Sequence, residues 1–212
     1  MEQTQVNDGF RVEVSDDTTR YVFTNDKKQT QLGKDFKHHL SWYPKARTQG
    51  ARKHMEINDF DRQVWGRKMW LPRDVKKSHV EFGEIIQKML NSLSKFVGGY
   101  SIIVSMPRNL KLTTARASNI GPKGFAGLIE MAPDRVNLPT VLHEVSHLMC
   151  YPHANHGNAF GAAYLLSMRM FGLPMRTVSN IMGRNSLCFW ARDEEVNDRL
   201  RSAIGVDRDV IA

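Results

Sequence analysis

Five residues, His143-Glu144-Val145-Ser146-His147, constrain this chain more than any other feature, because they set two imidazoles and a carboxylate inside an apolar stretch. Val141, Leu142, Val145, Leu148 and Met149 recur at the spacing of a buried helix, and Pro139 stands where a first helical turn accepts a residue lacking an amide hydrogen. On such a helix, residues four apart are neighbours, about 5–6 Å at Cβ, so both rings can turn to one point. Burying His, Glu and His on a core helix leaves polar groups that need partners, and a metal ion supplies one. The spacing is H-E-x-x-H, the pattern of a hydrolytic zinc site in which two His hold the metal and the Glu takes a proton from water. Chance accounts for it poorly, since eight His and nine Glu in 212 residues produce the pattern in roughly one chain in a hundred.

A catalytic zinc usually has three protein ligands and a water, so a third is expected. His153 lies six residues after His147, the spacing of the longer H-E-x-x-H-x-x-G-x-x-H pattern, but Cys150 occupies its glycine position. Cysteine does not reach the φ > 0 backbone of a sharp turn as cheaply as glycine. Ile181-Met182-Gly183 offers a weak imitation of the Met-turn that accompanies that pattern. His156 offers another geometry. Pro152 should end the first helix near Tyr151, and Phe160, Tyr164, Met168 and Phe171 open a second helical pattern just after His156-Gly157, stopped by Gly172 and Pro174. A ligand at the start of that helix would hang over the first. His156 and His153 both stand as third-ligand candidates, and Cys150 or a carboxylate is chemically admissible.

His143-Glu144-Val145-Ser146-His147 followed by His156-Gly157-Asn158-Ala159-Phe160 resembles the signature of SprT-like zinc metallopeptidases, in which the third His is followed by Gly and then by an aromatic on the next helix. The resemblance covers residues 137 to 172. It implies Zn2+ held by His143, His147 and His156, with Glu144 as the catalytic base. The linker between the motifs is shorter than in the better-known members and resembles that of compact phage and actinobacterial relatives. A protein or peptide substrate follows from the resemblance, as does action on nucleic-acid-bound proteins.

Charge is unevenly placed. Between Lys27 and His79, fourteen Lys and Arg stand against five acids, whereas the whole chain carries a net charge of +8, so the remainder is near neutral. Phe36, Trp42, Tyr43, Trp65 and Trp70 are interleaved with those cations. Basic side chains among aromatics suit phosphate contacts and base stacking, so non-specific nucleic acid is a candidate partner of residues 27–79; a solvated basic surface is the plainer reading. No apolar run reaches the ~18 residues that span a bilayer, and Met1-Glu2-Gln3-Thr4-Gln5 lacks a secretory signal layout, so a cytoplasmic location without a membrane partner is expected, and the resemblance implies a bacterial or phage-infected cell. Two cysteines, Cys150 and Cys188, make no disulfide framework. Nothing in the sequence speaks to oligomeric state.

Elsewhere, Phe10 to Val14 and Arg20 to Thr24 alternate around Ser15-Asp16-Asp17-Thr18 and read as a hairpin. Val80, Ile85, Ile86, Met89, Leu90, Leu93 and Phe96 predict one long helix over 76–96, ended by Gly98-Gly99. Strands are predicted over 100–106, 111–119 and 125–131, the last as the cleft edge onto which an extended peptide could add. A packing helix is predicted over 189–204. The expected fold class is α+β: a zincin-like domain over 73–212, with a small mixed or antiparallel sheet packed on the long helix and the metal helix. Residues 1–72 form an N-terminal hairpin and basic extension. The rival reading is a nucleic-acid-binding or structural protein whose zinc is closed by four protein ligands, with Cys150 and His153 available to complete it.

Overall fold

A computed structural model describes residues 3–7, 9–28, 30–31, 33–34, 79–110, 115–120, 125–132, 138–150, 156 and 158–170. The elements are β1 (Gln3–Asn7), β2 (Phe10–Val14), β3 (Thr18–Asn25), α1 (His79–Val97), β4 (Tyr100–Pro107), β5 (Arg116–Asn119), β6 (Phe125–Glu130), α2 (Leu138–Met149) and α3 (Asn158–Met170). The architecture is mixed α+β. Six strands form one sheet in the order β1-β2-β3-β4-β6-β5, with β4 and β6 parallel and every other neighbouring pair antiparallel.

Strand alternation writes the core as two rows across the sheet. Phe10, Phe23, Ile102 and Gly127 are successive cross-strand partners, as are Val12, Tyr21, Val104 and Ile129. Apart from Gly127 these are apolar or aromatic residues exposed by 5% or less, so one face of the sheet is core. Arg11, Arg20, Thr24 and Ser101, on the alternate positions, are exposed.

Helix α1 covers β2 and β3 with Phe82, Ile86, Met89, Leu90 and Leu93, the buried stripe of a 3.6-residue period. Gly98 ends it at φ 94°, a left-handed conformation that only glycine adopts without strain. A polar chain runs under this helix: Gln87 donates to the Tyr100 hydroxyl at 2.8 Å, which donates to Asn91 Oδ1 at 3.0 Å. Helix α2 covers β5 and β6, and α3 packs on both α1 and α2. Gly127 decides where α2 docks. A Cβ there would land on the Leu148 methyls, so the glycine leaves a notch in the core row that Leu148 fills.

The hairpin, the long helix and the strand from Tyr100 stand where the sequence placed them, with β1 added outside the hairpin. The expected strand over 111–119 is confined, among the described residues, to Arg116–Asn119. One expectation is corrected. Phe125–Glu130 is not the sheet edge, because β5 folds back and pairs along its outer side, with Arg116 opposite Glu130 and Asn119 opposite Gly127. Among the described residues, the edge on that side is β5. The expected domain boundary at 72/73 falls among residues outside the description, and the strands before and after it, β3 and β4, pair in the same sheet. Most of the basic segment, the Met-turn imitation and the C-terminal helix also lie outside the described residues; Lys27, Lys28 and Lys34 are exposed. No described helix is long and apolar enough to cross a membrane.

Candidate metal centre

Helix α2 sets the H-E-x-x-H run among mostly apolar positions. Leu138, Val141, Leu142, Val145, Leu148 and Met149 are buried, and that packing holds the helix on β5 and β6. His143 and His147, one turn apart, are left half-buried on one face with ring centroids 5.1 Å apart. Glu144 is buried, with only 7% of its surface exposed.

His156, just ahead of α3, completes the group. Its Nε2 lies 2.8 Å from Nε2 of His143 and 3.0 Å from Nε2 of His147. The ligand atoms of the three histidines all lie within 4.8 Å of one another. An imidazole nitrogen presents a single hydrogen or lone pair in the ring plane, so three of them meeting at one point form a donor set able to hold a cation. Tetrahedral nitrogens at ~2.0–2.1 Å from zinc lie about 3.3 Å apart, and the two His156 contacts, at 2.8 and 3.0 Å, fall about 0.3–0.5 Å short of that spacing.

Phe160 is the floor of the site. It is fully buried, and its ring centroid lies 4.8, 4.4 and 4.6 Å from those of His143, His147 and His156. Tyr164, one turn further along α3, is also buried, 5.3 Å from Phe160 and 5.4 Å from His143. The aromatic stripe visible in the sequence therefore supports the histidines as well as the core.

Cys150 does not join the cluster. Its thiol is fully buried and donates to the His147 carbonyl at 3.5 Å, and burial pushes its pKa up to about 12, against metal-binding thiolate. His153 and Tyr151 lie outside the described residues. Sequence reasoning passed over two buried serines. Ser146 and Ser167, both 0% exposed, approach to 3.0 Å between α2 and α3. The available signal was a small hydroxyl residue within each of two apolar helical stripes. Compared with family models, curated proteins and solved structures, the chain has no match.

Proposed function

We propose that this chain is a zinc-dependent metallopeptidase of zincin-like, SprT-like type. The observation that carries the reading is the meeting of three imidazole nitrogens, two from α2 and one from the segment just ahead of α3, with the buried Glu144 next to His143 along α2. His143, His147 and His156 would hold the ion. When bound, zinc polarises a scissile carbonyl and a water, lowering the pKa of the water towards about 7. Glu144 takes the proton from the attacking water and delivers it to the leaving amine nitrogen as the peptide bond breaks. The apolar floor of Phe160 and Tyr164 keeps the back of the site dry, which strengthens the electrostatics in front of it.

The substrate class is protein or peptide. An extended segment can add to the outer side of β5, where the sheet ends among the described residues. The basic residues 27–79 support nucleic-acid-bound proteins as targets, in a bacterial or phage-infected cytoplasm. The rival reading, a non-catalytic zinc closed by four protein ligands in a nucleic-acid-binding or structural protein, loses one candidate ligand, because the Cys150 thiol is turned to a backbone carbonyl.

Glu144→Gln tests the reading. The variant should keep wild-type zinc content and fold while losing cleavage of a denatured protein substrate by at least 10²-fold, the lower end of a general base's contribution. An unchanged cleavage rate would overturn it.

A further inference from the structure

The three histidines come from two parts of the chain. His143 and His147 ride on α2, whereas His156 stands two residues ahead of α3. Their Nε2 atoms can share one ion only if the helices keep a fixed register, because a productive site tolerates displacements of about 0.5 Å. Most of what joins α2 to α3 is apolar, and apolar contact is non-directional, so it resists separation better than sliding.

Among the described residues, the serine pair is a directional element between α2 and α3. Ser146 Oγ lies 2.7 Å from the Leu142 carbonyl, one turn back on its own helix, and its single proton goes there. That leaves the Ser146 oxygen as an acceptor towards α3. Ser167 Oγ lies 3.0 Å from it, 3.0 Å from the Ala163 carbonyl and 3.4 Å from Met149 Sδ. Ser167 has one proton and three acceptors within reach, two of which, Ser146 Oγ and Met149 Sδ, lie on α2, so its hydroxyl is placed to bridge the interface between residues 146 and 149, which bracket His147 and Leu148. A hydroxyl buried among apolar residues is costly unless it is hydrogen-bonded, so a slip of either helix that parts the two oxygens is opposed directly.

We infer that Ser146 and Ser167 are positioning residues of the metal site: their hydroxyl pair sets the α2–α3 register that brings His156 onto His143 and His147. The inference rests on the reading of those histidines as metal ligands. Affinity for the ion and stability of the fold are therefore measured separately.

The test measures zinc affinity by competition with a chromophoric chelator for the wild-type chain, Ser146→Ala, Ser167→Ala and the double variant. Urea unfolding of each metal-free protein runs alongside. Ile86→Val, a core change in α1, serves as the packing control. Each single serine variant is expected to bind zinc about 10-fold more weakly, at the lower end of the range for outer-shell partners. The double variant should be little weaker than either single one, because both remove the same link. Ile86→Val should lower stability and leave affinity unchanged. Wild-type affinity in the folded serine variants, or two losses that simply add, overturns the positioning role alone. A wild-type chain that takes up no zinc overturns the metal reading and this inference together.

Discussion

Phe160→Ala removes the surface on which all three imidazoles rest. The ring is 0% exposed and has four aromatic neighbours, His143, His147, His156 and Tyr164, at centroid distances from 4.4 to 5.3 Å. Truncating a buried Phe to Ala costs about 3–5 kcal/mol through lost transfer energy and the cavity left behind. For a chain of this size each kcal/mol moves the melting temperature by about 2–4 °C, so a fall on the order of 10 °C is expected without metal. The second effect is specific to the site. Freed imidazoles should bind zinc at least about 10-fold more weakly, as when other supports of ligands are removed. At zinc 100-fold above the wild-type Kd, the wild-type chain gains about 2.7 kcal/mol of stability. A 10-fold weaker site gains about 1.4 kcal/mol from the same solution. Circular-dichroism melts with and without zinc read both numbers. A metal-free loss below about 1 kcal/mol, or a zinc-dependent gain equal to that of the wild type, would refute the placing of Phe160 beneath the three rings.

Gly127→Ala should force Leu148, and with it the end of α2, away from the sheet, because the new methyl would also stand 2.9 Å from the Ser118 carbonyl oxygen. A loss of about 1–3 kcal/mol in urea unfolding is expected, and an unchanged midpoint would contradict the notch. Cys150 has a raised pKa in the folded chain, from an ordinary 9.0 up to about 12 through burial. Between those values the unfolded thiol ionises while the folded one keeps its proton. The stability this group contributes is therefore complete below pH about 9 and is lost as pH climbs towards about 12. The stability advantage of wild type over Cys150→Ala should shrink between pH 8 and pH 10.5; a constant difference would contradict the burial of the thiol. Binding of the full chain to single-stranded DNA should fall steeply with added salt if the cations of residues 27–79 meet phosphates, and absence of binding at low salt removes that partner.

What could be read from the sequence was whatever local periodicity encodes. The stripe of Ile86, Met89, Leu90 and Leu93 announces α1, the β-branched run after Tyr100 announces β4, and the apolar frame around His143 and His147 announces α2. Strand β1 escaped because Gln-Thr-Gln-Val-Asn shows no apolar alternation, and its pairing comes from the chain turning at Gly9 to lie against β2. The place of β6 escaped for a different reason. Its own residues say strand, but whether it lies at the edge depends on β5 folding back upon it, which no window of β6 contains. His156 and His153 could not be separated from spacing alone, since the contact of His156 with α2 depends on how α3 packs. The serine pair is hidden in the same way: each hydroxyl is unremarked in its own helix, and its use arises only where the helices meet.

In the proposed site, a zinc ion is held by His143, His147 and His156 with a position left open for water. X-ray absorption at the zinc edge of the stoichiometrically loaded chain measures this directly. Three imidazole nitrogens and one further light atom at ~2.0–2.1 Å are expected, with the imidazole count falling to two in His156→Ala. A sulfur at ~2.3 Å, or four protein ligands that remain when His156 is removed, would contradict it.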